Sequence, residues 1–174
     1  MSIKINYLNK NISKSASNLV LFSNEKFNIS AIKKHLSNLE FSYIYDLLKT
    51  SDLKKNMFVF EVNSKKKIIL ISIKKDLKEF DIENLGAEFF KRINYGKNSE
   101  YYINSDSLIS KQENFLGHFL HGLKLKSYEF KKYKTKKETR IISINILGTK
   151  NKTSTHNQLK FKALEEGTFY ARDL

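Results

Sequence analysis

The run Ile68-Ile69-Leu70-Ile71-Ser72-Ile73 limits the fold of this chain more than any other stretch. Successive side chains of a strand point to opposite faces, so a strand that is apolar on both must be covered on both. It therefore belongs in the interior of a sheet with helices on its two sides. Met57 to Val62 is a second β-rich run, separated from the first by the polar stretch Asn63-Ser64-Lys65-Lys66-Lys67, and the pair predicts a hairpin. Phe58, Phe60 and Val62 would face one side of it, Val59 and Glu61 the other.

Strand and helix periods interleave through the rest of the chain. Ile3, Ile5 and Tyr7 alternate with Lys4 and Asn6, and Ile142, Ile144 and Ile146 alternate with Ser143 and Asn145, as in strands buried on one face. Leu19-Val20-Leu21-Phe22 and Tyr101-Tyr102-Ile103 are short enough to be strands. Ile29 to Lys49 predicts two helices broken near Ser37-Asn38, the first capped by Asn28 or Ser30 and facing inward with Ile29, Ile32 and Leu36. The second continues with Tyr43, Leu47 and Leu48. Ile82, Leu85, Phe89 and Ile93 mark another helix, with Asp81 and Glu83 in its first turn and Lys91 and Arg92 in its last, an order that suits the helix dipole. Asn104-Ser105-Asp106-Ser107 offers a cap for a helix whose stripe is Phe115, Leu116, Phe119, Leu120 and Leu123. A terminal helix carries Phe161, Leu164, Thr168 and Ala171 on one side. Gly167 in its middle costs about 1 kcal/mol relative to Ala, which predicts another backbone packed close against it. The fold class is α/β, a mixed β-sheet flanked by helices.

With 174 residues, 40% of them hydrophobic, the chain is large enough for one such core. Absence of Cys removes disulfides and thiolate chemistry. No run approaches the ~18 apolar residues of a membrane span, and the first residues lack a signal-peptide core. A cytoplasmic location and no membrane partner are the expectation. Lys and Arg number 32 against 18 Asp and Glu, a net charge of +14. That balance suits an anionic partner such as nucleic acid. A chain rich in Lys, Asn and Ile and free of Pro and Trp also has the composition AT-rich coding produces.

Two blocks of the last third carry a resemblance. Ser127-Tyr128-Glu129-Phe130-Lys131-Lys132-Tyr133-Lys134-Thr135 follows one helix, and Glu166-Gly167-Thr168-Phe169-Tyr170-Ala171-Arg172-Asp173-Leu174 lies on the last. In this order, with a strand between them, they resemble the end of the N-terminal domain of the leucyl aminopeptidases, the cytosol aminopeptidase family. Leu85-Gly86-Ala87 is similar to a helix start that the family often carries. The resemblance implies a macrodomain-like fold, with residues 1–174 forming a single N-terminal domain and the C-terminal catalytic, metal-binding domain absent from the chain. It also implies a homo-oligomer, a hexamer, and two divalent metal ions, Mn or Zn, held by that catalytic domain. The family's Asn-Thr-Asp-Ala-Glu-Gly-Arg-Leu signature has no counterpart here, so no catalytic residue, metal ligand or cofactor is expected in this chain. Leu174 closes an amphipathic helix with no Gly, Asn or Pro stop behind it, which fits a chain that continues.

His118 and His121, three apart on a helix, could converge on an ion, but they point away from the apolar stripe with no third ligand near them in sequence, and read as surface histidines. His35 and His156 are isolated. Six Gly with no Gly-x-Gly give no phosphate loop. The basic segments are the alternative site. Lys65, Lys66 and Lys67 sit at the hairpin tip, and Lys124, Lys126, Lys131, Lys132, Lys134, Lys136, Lys137 and Arg140 are interleaved with Tyr128, Phe130 and Tyr133, a mixture suited to DNA or RNA contact. DNA binding, known for some members of the family, is thus the competing function. The plainer reading is that the aromatics pack the domain and the lysines are solvated.

Overall fold

The computed structural model describes residues 2–9, 14–95, 99–110, 112–128 and 140–174. Six strands form one sheet in the order β1-β6-β5-β2-β4-β3. They are β1 (Ser2–Tyr7), β2 (Asn18–Asn24), β3 (Met57–Asn63), β4 (Lys66–Ile73), β5 (Glu100–Asn104) and β6 (Ile141–Leu147). All neighbours are parallel except the β3–β4 hairpin. The hairpin turn is shorter than the polar run suggested, because Asn63 already pairs with Lys66 and only Ser64 and Lys65 lie between them.

The four helices are α1 (Asn38–Thr50), α2 (Glu79–Asn94), α3 (Phe115–Ser127) and α4 (Thr155–Asp173). They cover the sheet unequally. Val20, Phe22, Ile69, Ile71, Ile142, Ile144 and Ile146 pack toward α2 and α3. Leu19, Leu21, Ile68 and Leu70 face α1 and the 3₁₀ turn that precedes it. Among the described residues only the middle of the sheet is therefore covered twice, and β2 and β4 are the strands apolar on both faces. At the β1–β6 edge the second face is polar. There Asn6 Nδ2 donates to Asn145 Oδ1 at 2.9 Å and Asn145 Nδ2 to Glu100 Oε1 at 2.9 Å.

Helix boundaries follow local chemistry. Ser37 caps α1 in a reciprocal pair: its Oγ accepts from Glu40 N at 3.2 Å and its own N–H donates to Glu40 Oε2 at 2.8 Å. The segment before it, Ser30–His35, is a 3₁₀ turn and not an α-helix, with Asn28 Oδ1 accepting from Ser30 N at 3.0 Å. Six residues ending against Ser37 leave too little length for α-helical turns to propagate. In α1 the inward residues are Glu40, Ile44 and Leu48, while Tyr43 and Leu47 are exposed. Asn104 caps only the short turn Ser105–Ser107, and α3 starts later, from Asn114 in the left-handed region at φ 56°.

The tightest packing joins α2 to α3. Gly86 of α2 lies so close to α3 that a Cβ there would stand 1.9 Å from Phe119 O. Gly122 of α3 returns the contact, its Cβ position being 1.9 Å from Glu83 O. Phe22 sets its ring edge-on to Phe115 and Phe119 beneath this pair, with centroids 5.7 and 5.5 Å away. By contrast, nothing approaches Gly167 within 4 Å, so the close backbone expected there is not among the described residues.

Candidate functional site

The hairpin lysines do not form a free cationic cluster. Lys66 Nζ reaches Glu40 Oε1 at 2.6 Å and Lys14 O at 2.6 Å, with both charged side chains largely buried. Lys67 Nζ pairs with Glu61 Oε1 across the hairpin at 2.6 Å. Lys65 alone of the three is exposed. Lys131, Lys132, Lys134, Lys136 and Lys137, with Phe130 and Tyr133, lie outside the described residues. Two of three hairpin candidates are thus engaged by carboxylates from α1 and β3, a pairing that sequence separation concealed.

The described end of the first motif block meets the second. Tyr128, just past α3, stacks on Phe169 of α4 with centroids 5.1 Å apart, and Arg172 lies 5.4 Å over the Tyr128 ring. The Tyr128 hydroxyl donates to Asp173 Oδ1, and Arg172 Nη1 donates to Leu125 O at 3.2 Å. Tyr128 and the Arg172-Asp173 pair therefore fasten the end of α4 to the end of α3.

Nearer its start, α4 is held by Phe161, which lies over Gly117 of α3; a Cβ on Gly117 would come within 2.5 Å of the Phe161 ring. Both α3 histidines pack against this ring, with centroids 5.0 and 5.2 Å away. They are not the surface residues that the sequence suggested. His118 Nδ1 is 3.0 Å from Glu83 Oε1 and its Nε2 3.6 Å from Glu79 Oε1. His121, buried, places Nδ1 3.2 Å from Glu165 Oε1, whose other oxygen takes Lys124 Nζ at 2.9 Å. The two rings engage separate carboxylates, and no cluster of three or more His, Asp and Glu suited to a metal occurs among the described residues. Glu165 was not legible as a site residue. The sequence assigned the inner face of α4 to Phe161, Leu164, Thr168 and Ala171, whereas Phe161 and Glu165 are buried and Leu164 and Ala171 exposed.

Beside this ion pair, between α4, α3 and β1, is a cavity of about 230 Å³. Ile5, Leu120, Leu159 and Phe161 form its apolar wall, and Tyr7, Lys124, Thr153 and Lys162 are among its polar groups. Burial raises the Tyr7 phenol above its ordinary value; the Thr153 hydroxyl opposes this and the Glu165 charge adds to it, leaving the phenol a donor near neutrality. Thr153 Oγ1 is buried and meets no partner in good hydrogen-bond geometry among the described residues, although it stands near enough to the Tyr7 phenol to act on it.

A second buried polar group lies near the C-terminal end of β5. His35 Nδ1 is 3.0 Å from Asn104 Nδ2, and Asn104 Oδ1 accepts from Asp106 N at 2.9 Å. Because the amide nitrogen donates, His35 Nδ1 is the acceptor and Nε2 carries the proton. Burial holds His35 below its ordinary value of 6.5, Lys34 adding to the effect and Asp106 opposing it. Above pH 6.5 the folded and unfolded chains both hold it neutral. As pH falls below that value the unfolded chain gains a proton that the folded chain does not, so stability is lost until the folded-state value is reached. Urea unfolding at pH 7.5 and 5.5 should show a smaller loss in His35→Gln than in the parent; equal losses would remove His35 as the cause.

The described helices include none long and apolar enough to cross a membrane. The chain is an α/β domain with a mixed six-stranded sheet and helices on both faces. Neither a protein-family model nor a curated protein matches its sequence. Among solved structures it is similar to a substitution mutant of tomato leucine aminopeptidase, with a TM-score of 0.65 and 14% identity. The match covers 94% of this chain and 36% of that chain. At this identity it establishes a shared fold.

Proposed function

We propose that this chain is the N-terminal, non-catalytic domain of a leucyl aminopeptidase, which assembles or positions a C-terminal catalytic domain. The observation that carries this reading is a fold match along nearly the whole chain to about a third of a leucine aminopeptidase. Support comes from the fastening of α4 by Tyr128, Arg172 and Asp173, three of the residues in the two blocks that carry the resemblance. In this reading two Mn or Zn ions, peptide hydrolysis and a cytoplasmic hexamer belong to the whole enzyme. The outer surface of α4, with Leu164, Tyr170 and the open Gly167, is the surface offered to that assembly.

The purified chain with Mn²⁺ should not hydrolyse leucine amide, and hydrolysis would overturn this account. Gly167→Ala should leave the isolated domain as stable or raise its stability by up to about 1 kcal/mol, because the new methyl meets only open space and helix propensity improves. In a protein joined to its catalytic domain, Gly167→Trp should reduce assembly as measured by sedimentation. Unchanged assembly would remove this face of α4 from the interface.

The +14 charge favours a second reading, a basic module for DNA or RNA. Binding that weakens steeply across a salt series would support it, since phosphate contacts release counterions. Engagement of Lys66 and Lys67 by carboxylates weighs against the hairpin as its contact surface.

A further inference from the structure

We propose that the cavity between α4, α3 and β1 binds a small monocarboxylate with an aliphatic or aromatic tail. Its two halves differ in chemistry. Ile5, Leu120, Leu159 and Phe161 supply an apolar surface, which favours a ligand carrying hydrocarbon. At the other side the Glu165 charge is already taken up by Lys124 and by His121. Lys162 also lines the cavity, and its ion pair with Glu166 is long, at 3.8 Å, and exposed on both sides. Such a pair contributes little, so Lys162 remains able to meet an incoming charge. With Glu165 balanced by Lys124, Lys162 gives the lining one positive charge in excess, which suits a monoanion.

The buried Thr153 hydroxyl gives an independent indication. A buried hydroxyl without a well-aligned partner is costly, and Thr153, with only 5% of its residue surface exposed, is one of the residues lining the cavity. A carboxylate oxygen accepting from Thr153 would remove that cost, with the Tyr7 phenol as a neighbouring donor. The volume of about 230 Å³ lies below the ~300–1,000 Å³ usual for drug-sized ligands and restricts the occupant to a small molecule. Leu159, 63% exposed, leaves the site open to solvent.

Titration of the protein with isocaproate, followed by amide NMR, tests the assignment. Saturable shifts centred on Thr153, Leu159 and Lys162 are expected, while isohexylamine, with the same tail and a positive head, should give none. Acetate, which lacks the tail, should bind more weakly than isocaproate. Thr153→Val preserves shape and should weaken isocaproate binding about tenfold, as expected for loss of a hydrogen bond to a charged group. Lys162→Met, at an exposed position on α4, should also weaken it and provides the test if the valine variant fails to fold. Absence of saturation, an equal response to isohexylamine or acetate, or binding unchanged in the variants would each overturn the proposal.

Discussion

Gly122→Ala is expected to destabilise the domain by about 3 kcal/mol or more, at the upper end of what overpacking costs. The reason is the partner: the added methyl would meet the Glu83 carbonyl, part of the α2 backbone, at 1.9 Å, and no side-chain rotation can relieve that. Only separation of α2 from α3 can, and this opens the contact beneath which Phe22, Phe89 and Phe119 pack. Gly86→Ala should act in the same way through Phe119 O. In a chain of this size the loss corresponds to a melting temperature lower by roughly 10 °C. Thermal unfolding monitored by circular dichroism measures it, with Gly167→Ala as the control in open space. A Gly122→Ala protein that melts with the parent would show that the helices are not this close.

Lys66→Met should have the second largest effect, about 2–3 kcal/mol at neutral pH, somewhat below the range for breaking a fully buried pair because both side chains retain some exposure. The loss arises from the partner left behind. Burial alone would raise the Glu40 carboxyl, but the Lys66 hydrogen bond, the Ser37 backbone and the Lys66 charge together hold it below its ordinary value of 4.5. A carboxyl held low contributes stability above its unfolded-state value and loses it as pH falls through the folded-state value. The difference between parent and Lys66→Met in urea unfolding should therefore be large at pH 7 and shrink below pH 4.5. A difference that stays constant down to pH 3 would mean that Lys66 contributes by packing of its stem and not by its charge. Glu40→Gln retains the shape needed at the α1 cap and should couple strongly to Lys66→Met in a double-mutant cycle.

Strand character in β2 and β4, the alternation in β1 and β6, and the apolar stripes of α2 and α3 were legible because a strand or helix imprints its own period on neighbouring residues. The mixed sheet with flanking helices followed from their order. Periodicity says which side of an element is buried by the first surface it meets, and nothing about a second. His118 and His121 point away from the stripe of α3, as the sequence indicated, yet α4 covers that other side, packing both against Phe161 and burying His121.

The candidate site depended wholly on such second contacts. Glu165 looks like a solvent-facing acid in its helix until Lys124 and His121, more than forty residues earlier, come against it. Lys66 reads as one of three loop cations until α1 presents Glu40. The sequence alone determined most of the elements and that the strand Ile68–Ile73 needed covering on both faces, because those are properties of local geometry. Which glycines carry a helix crossing, which charges are paired and where a cavity remains were decided only by the tertiary structure, because each depends on groups that distant segments bring within a few ångströms.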